Sequence, residues 1–276
     1  MKIDAHQHFW HFDPVRDAWI TDEMQAIRRD FLPSDLKLVL EQNQMDGCVA
    51  VQAAQEIAET DFLLQLANEN DFIKGVVGWT DLQAPNLAER LAEYQKAPRL
   101  RGFRHVLQAE PDEAFMLRPA FIAGVRALRD YGFTYDILIY PQHLPNALRL
   151  VQQCADQPFV LDHLAKPYIR EGLLEPWKKD LTALADQENV CCKISGIITE
   201  ADWSTWTYEQ LVPYLDVAFE AFGTDRLLFG SDWPVCLVAG DYQRVKQVLE
   251  RYLENFTSTE KENIWGGNAA RFYNLN

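Results

Sequence analysis

Eight short apolar or β-branched runs, each followed by a stretch with helical spacing, limit the folds open to this chain more than any other feature. The runs are KIDAHQH (2–8), GCVAVQAA (47–54), IKGVVGWTDL (73–82), LRGFRHVL (100–107), TYDILIY (134–140), PFVLDHL (158–164), VCCKISG (190–196) and RLLFGSDWP (226–234). Between them, Leu36, Val39 and Leu40 follow Pro33 and Ser34, with Gly47 as the stop. The same period returns at Leu144, Leu148 and Val151 and at Val245, Val248, Leu249 and Tyr252. Alternation of this kind calls for parallel strands joined through helical crossovers. No glycine-rich dinucleotide fingerprint follows the first run. Eight units over roughly 250 residues therefore predict an α/β protein with one closed (β/α)8 TIM barrel spanning 1–276, in preference to an open doubly wound sheet.

Two local features refine this outline. Thr259 and Glu262 have the S/T-x-x-E form of a capping box, which predicts a last helix over 260–265 that ends at Gly266 and Gly267. The connection 9–32 is long, lacks a clear period and carries Phe9, Trp10, Phe12, Trp19 and Phe31. Loops of that length are commonly functional, so the segment is expected to act as an active-site lid.

Charge and cysteine usage narrow the partners. Lys and Arg number 26 against 41 Asp and Glu, a balance of −15 that repels a phosphate backbone and argues against nucleic acid. A neutral small molecule is easier to admit. No run of ~18 apolar residues offers a membrane span, and the first ten residues carry Lys, Asp and two His where a signal peptide needs an apolar centre. A cytoplasmic protein is expected, and the oligomeric state stays open. The five cysteines are odd in number and show no C-x-x-C spacing, which fits reduced thiols in the core. Cys191 and Cys192, adjacent on a strand, should face opposite ways.

In such a barrel the chemistry sits at the C-terminal ends of the strands. His6 and His8 close the first strand, where residues i and i+2 share a face. His105 lies late in strand four, His163 late in strand six and Asp232 at the end of strand eight, so four of six histidines fall where a barrel keeps its reactive groups. Singly, each has an ordinary structural reading as a packed histidine or a turn-forming aspartate. Together, His6, His8, His163 and Asp232 offer three nitrogens and one oxygen, a ligand set suited to Zn²⁺ or a similar divalent ion. Trp10, Trp79 and Trp233 lie at strand ends and could present flat faces to a ring, while Arg104 and Lys193 could bond hydroxyls or a carboxylate. His143 and His11 read as structural.

The motifs DAHQHFW, VVGWTDL, RGFRHVLQAEPD, LDHLAKP, CKISGI, GSDWP and GGNAARFYN, in order along nearly the whole chain, resemble the amidohydrolase superfamily, in particular its branch of sugar-acid and pyrone lactonases. The resemblance implies that His6 and His8 are the strand-one pair, His163 the strand-six histidine and Asp232 the aspartate that activates water. This chain departs from two-metal members at strand four, which offers Arg104 and His105 in place of a bridging Lys or Glu, and at strand five, which offers Asp136 and no histidine. At most one metal is implied, zinc first, and members of the branch differ in whether they need an ion at all.

The implied reaction is hydrolytic opening of a lactone. Asp232 would take the proton of water, a metal or the imidazoles of His6, His8 and His163 would stabilise the oxyanion, and His105 or a water relay would protonate the leaving alkoxide. A pyrone dicarboxylate would demand several arginines, and the strand ends offer only Arg104, with Arg28 and Arg29 in the long loop. A neutral aldonolactone therefore ranks first. Two alternatives remain: a zinc-dependent decarboxylase of the same superfamily, and a barrel that binds a sugar acid without turning it over.

Overall fold

The computed structural model describes residues 1–275. Eight parallel strands run in the order of the sequence: β1 Ile3–Gln7, β2 Gly47–Val51, β3 Ile73–Gly78, β4 Leu100–His105, β5 Thr134–Ile137, β6 Phe159–Leu161, β7 Val190–Ile194 and β8 Leu227–Phe229. Each lies inside one of the eight expected runs. The strands are short and buried on both faces, as parallel strands wrapped by helices must be, and β2 (GCVAV) has no exposed residue.

The outer layer is built from α1 Pro33–Gln42, α2 Ile57–Glu69, α3 Leu87–Tyr94, α4 Pro119–Asp130, α5 Leu144–Gln153, α6 Trp177–Ala185, α7 Tyr208–Phe222 and α8 Tyr242–Tyr252. Their starts follow elementary rules. Proline occupies the first position of α1 and α4, where its missing N–H costs nothing. The Asp241 carboxylate accepts from the Arg244 N–H to cap α8.

The barrel closes between its first strand and the residues just after its last. Asp232 N–H donates to His6 O at 2.8 Å and His8 N–H to Trp233 O at 2.7 Å. The buried Asp4 carboxylate clasps the seam, accepting from Ser231 Oγ at 2.6 Å, Ser231 N at 2.9 Å and His6 N at 3.1 Å. Burial pushes its pKa up to about 6, against the pull of those bonds.

Two apolar clusters follow from this architecture. The larger fills the space between strands and helices. In the smaller, Ile3, Val49, Val51, Val77, Val160 and Leu228 meet Ala269, Tyr273 and Leu275 of the C-terminal segment, which plugs the N-terminal end of the barrel.

That segment corrects the expected last helix. Both TSTE and TEKE satisfy the capping pattern, and the earlier one forms: Thr257 N–H donates to Glu260 Oε2 at 2.8 Å while Thr257 Oγ1 accepts from Glu260 N at 3.3 Å. Helix α9 spans Ser258–Glu262 and leads through a wide turn at Asn263–Gly267 into α10, Asn268–Phe272. Gly266 does not end the helix. It lets the turn press on the start of β1, where a Cβ would lie 2.3 Å from Met1 O.

Residues 9–32 are also more ordered than their lack of period suggests. Trp10 and Phe31 form an antiparallel bridge that pins the two ends together, and a short 3-10 helix runs over Asp22–Ile27. Phe9, Ile20, Ile27 and Phe31 are buried beneath it. All five cysteines are free, and Cys191 and Cys192 do face opposite sides, one half-buried and one buried. Among the described residues no helix is long and apolar enough to cross a membrane.

Candidate active site

Three imidazoles converge on one carboxylate at the C-terminal mouth. Asp232 Oδ1 lies 3.4 Å from His8 Nε2, 3.8 Å from His6 Nε2 and 4.0 Å from His163 Nε2. The expected cluster of His6, His8, His163 and Asp232 is thus brought together, and each member is almost fully buried.

The outer nitrogens of the rings explain how they are aimed. His8 Nδ1 lies 2.7 Å from Val51 O, and a carbonyl can only accept, so this nitrogen carries the proton and Nε2 is left with its lone pair. For His6, the neighbour of Nε2 is Arg104 Nη1 at 3.3 Å, which can only donate. The other nitrogen, Nδ1, meets both the Lys193 ammonium at 3.0 Å, a donor, and Asp162 Oδ1 at 3.2 Å, an acceptor, so cationic donors stand at both nitrogens of His6. His163 Nδ1 is held by Ser195 Oγ at 2.8 Å.

Beneath the rings lies a layer of charge that sequence reasoning did not foresee as a unit. Lys193 Nζ sits 2.6 Å from Asp136 Oδ2, 2.9 Å from Asp162 Oδ1 and 3.0 Å from His6 Nδ1, and all these side chains are fully buried. Arg104 Nη1 bonds Asp162 Oδ2 at 2.9 Å, and Arg104 Nη2 donates to Gln52 O. Tyr273, on the C-terminal plug, donates its hydroxyl proton to Asp136 Oδ2 at 2.7 Å. Two cations and two carboxylates balance, which is the condition for burying them.

These surroundings set the protonation states. Burial drives Asp162 upward, but Lys193, His6 and Arg104 outweigh it and hold the carboxyl well below the usual range. Burial pushes Asp136 up to about 6 against the attraction of Lys193. Burial lowers His163 to about 4, and it takes His6 well below its ordinary value despite Asp162. Asp232 is raised by burial and lowered more by His163, His8 and Lys166, for a net depression. At neutral pH His6 and His163 are neutral imidazoles beside the ionised Asp232 carboxylate.

Backbone strain gathers at the same place. His163, Leu164, Ala165 and Lys166 all have φ between +53° and +56°, and Asp232 has φ +56°. Five non-glycine residues in the left-handed region hold the ends of β6 and β8 in sharp turns, a device typical of functional sites. Gly196, at φ +65°, passes so close that a Cβ would lie 2.9 Å from His163 Nδ1.

The donor set fits a divalent cation. His6 Nε2 and His8 Nε2 are 3.2 Å apart, and the His8 nitrogen presents its lone pair. The edges of 3.2, 3.4 and 3.8 Å joining His6, His8 and Asp232 match the roughly 3.3–3.4 Å expected for a tetrahedron of ligands about 2.0–2.1 Å from zinc. The same three residues group as metal-capable, as do His6, Asp162 and His163.

The remaining expected residues lie elsewhere. His105 is bonded through Nε2 to Glu110 at 2.7 Å and approached at Nδ1 by Trp79 Nε1 at 3.4 Å, with its ring stacked on Phe115. Both its nitrogens are engaged away from the cluster. Arg104 and Lys193 stand below the imidazoles rather than beside open space, since each spends its bonds inside the barrel. Trp233 is buried between Phe9 and Phe31. Trp10 gives its Nε1 proton to Arg29 O and, with Phe9, His11, Arg16, Glu59 and Phe62, lines a small pocket at the mouth. His143 is buried and accepts from Tyr140 N, and His11 pairs with Asp30 at the surface. Asp162 and Lys166 were missed as site residues, although both stand in the motif LDHLAKP; a carboxylate and a lysine flanking a strand-end histidine were the available signal.

The chain belongs to the amidohydrolase family, whose model matches residues 3–275. It is 41% identical over 286 residues to an L-fucono-1,5-lactonase of Burkholderia multivorans, a match covering 100% of this chain and 96% of that protein. It is 34% identical to an L-fucono-1,5-lactonase of Burkholderia ambifaria, covering 99% and 96% of the two chains. A crystal structure of an amidohydrolase from Burkholderia multivorans with bound zinc superposes with a TM-score of 0.97 at 41% identity, covering 100% of both chains.

Proposed function

We propose that this protein is a zinc-binding hydrolase that opens a neutral sugar lactone, with L-fucono-1,5-lactone the first substrate to test. The observation that carries this reading is the convergence of His6, His8 and His163 on Asp232 within 4.0 Å at the barrel mouth. The full-length similarity to L-fucono-1,5-lactonases supports the substrate.

His6, His8 and Asp232 would hold the ion, with His163 beside it. Bound there, zinc supplies positive charge that polarises a carbonyl and makes water more acidic. Asp232, ionised throughout neutral pH, takes the proton as the water oxygen attacks the lactone carbonyl carbon. His163, neutral and fixed by Ser195, positions that water. When the tetrahedral adduct collapses, the ring C–O bond breaks and Asp232 returns the proton to the leaving alkoxide. His105, turned to Glu110, is not needed for this step. Lys193, Asp162 and Arg104 act as positioning groups that fix the orientation of the His6 ring. Residues 9–32 form the cover of the mouth, with Trp10 as its inner wall. The five free cysteines support a reducing, cytoplasmic setting.

The test is acid release from a panel of five- and six-membered aldonolactones, with zinc measured on protein purified without chelator. Asp232→Asn is expected to lower kcat by about 10³-fold or more while circular dichroism is unchanged, since the group that moves the proton is gone. Near-full activity in that variant would defeat the assignment, and CO₂ evolution from aromatic acids would favour the decarboxylase.

A further inference from the structure

Three consecutive connections at the mouth, those after β5, β6 and β7, carry side chains that the mechanism does not use. Lys166 follows the strained turn from His163, and its N–H donates to His163 O at 2.7 Å, which fixes its backbone to that of a cluster residue. Its ammonium lies 5.5 Å from the centre of the Tyr140 ring. Glu200, above β7, faces it with an Nζ to Oε1 distance of 3.8 Å.

That distance is an ion pair but too long for a hydrogen bond. Among the described residues neither head group has a hydrogen-bond partner in the protein, although the side chains are only 20% and 23% exposed. A partly buried ammonium and a partly buried carboxylate, adjacent yet unbonded, leave donors and acceptors unused at the rim of the site. Tyr140 beside them is 37% exposed, with the Lys166 ammonium over its ring and His143 stacked against it.

We propose that Lys166 and Glu200, beside the face of Tyr140, form the subsite that reads the ring hydroxyls of the lactone. One hydroxyl can accept from the Lys166 ammonium and donate to the Glu200 carboxylate, while the C–H groups of the ring meet the exposed edge of Tyr140. A pair of opposite charges adds no net charge, so it suits an uncharged polyol ring and does not compensate a dicarboxylate. The inference rests on the lactonase reading and deepens it by naming what selects the substrate.

The experiment compares L-fucono-1,5-lactone with δ-valerolactone, the unsubstituted six-membered ring, for wild type, Lys166→Met and Glu200→Gln, with zinc content measured for each. Each variant is expected to lower the ratio of kcat/KM for the hydroxylated over the plain lactone by about tenfold or more, chiefly through KM, because a polar site discriminates by its unpaired groups. Zinc content should equal that of wild type, and Lys166→Arg should restore part of the ratio. An unchanged ratio overturns the subsite while leaving lactonase activity standing. Equal loss on both lactones, carried by kcat, overturns it too and moves the pair into the chemistry. Failure of wild type to open either lactone overturns the parent reading, and the subsite with it.

Discussion

Replacing Lys193 with Met should expose the buried charge layer through the pH dependence of stability. At an effective dielectric constant of about 20, the 2.6 Å contact with Asp136 is worth roughly 6 kcal/mol of Coulomb attraction. Without it the Asp136 carboxyl, already pushed up to about 6 by burial, rises by roughly four units and stays protonated through pH 8. Below about pH 6 the wild-type group is protonated as well, so the two proteins differ there only by the lost charged bonds, roughly 2 kcal/mol.

Between pH 6 and 8 the variant's native state holds one more proton than the wild-type native state, while the unfolded chains titrate alike. Stability of the variant therefore falls, relative to wild type, by about 1.4 kcal/mol per pH unit. The deficit should widen from roughly 2 kcal/mol at pH 6 to roughly 5 kcal/mol at pH 8, in line with other broken buried pairs. Urea unfolding followed by tryptophan fluorescence at half-unit pH steps measures this directly. A deficit that is flat or shrinks as pH rises would refute the balance of charges described beneath His6.

Two further outcomes test neighbouring groups. Burial pushes Glu59 up to about 7 although Ala53 and Ala54 N–H donate to it. Its native state holds a proton that the unfolded chain has released between about pH 4.5 and 7, so this group's contribution declines as pH rises through that window. Stability of wild type minus that of Glu59→Gln should drop by about 3 kcal/mol from pH 4.5 to 8, and a constant difference would show the carboxylate to be solvated. Tyr273→Phe removes the buried donor to Asp136 at 2.7 Å and should cost roughly 1.5–3 kcal/mol in urea titration; a neutral effect would mean that Asp136 does not depend on the C-terminal plug.

The barrel was legible because its signal is repeated eight times and each run is long enough to survive errors of boundary. The metal-capable cluster was legible for a related reason: strand-end positions are few, and His6, His8, His163 and Asp232 occupy them. What lay beyond reach was depth along a strand. Arg104 and Lys193 are polar residues near strand ends, and the sequence alone does not say whether such a side chain rises to the mouth or folds inward to meet Asp136 and Asp162. The role of Tyr273 depends on a plug that reaches back 137 positions to Asp136. The sliding of the capping box from Thr259 to Thr257 shows the complementary limit, since two overlapping patterns of equal quality are separated only by what packs on β1.

The seam at Asp4 and Ser231, groups 227 positions apart, carries a kinetic consequence. Asp232 and the His6–His8 couple come from opposite ends of the strand series, so no partial array of strands can assemble the cation site. During refolding, far-ultraviolet dichroism should recover while a zinc-responsive dye still reports free metal. Capture of the ion would then mark the moment at which the last strand reaches the first.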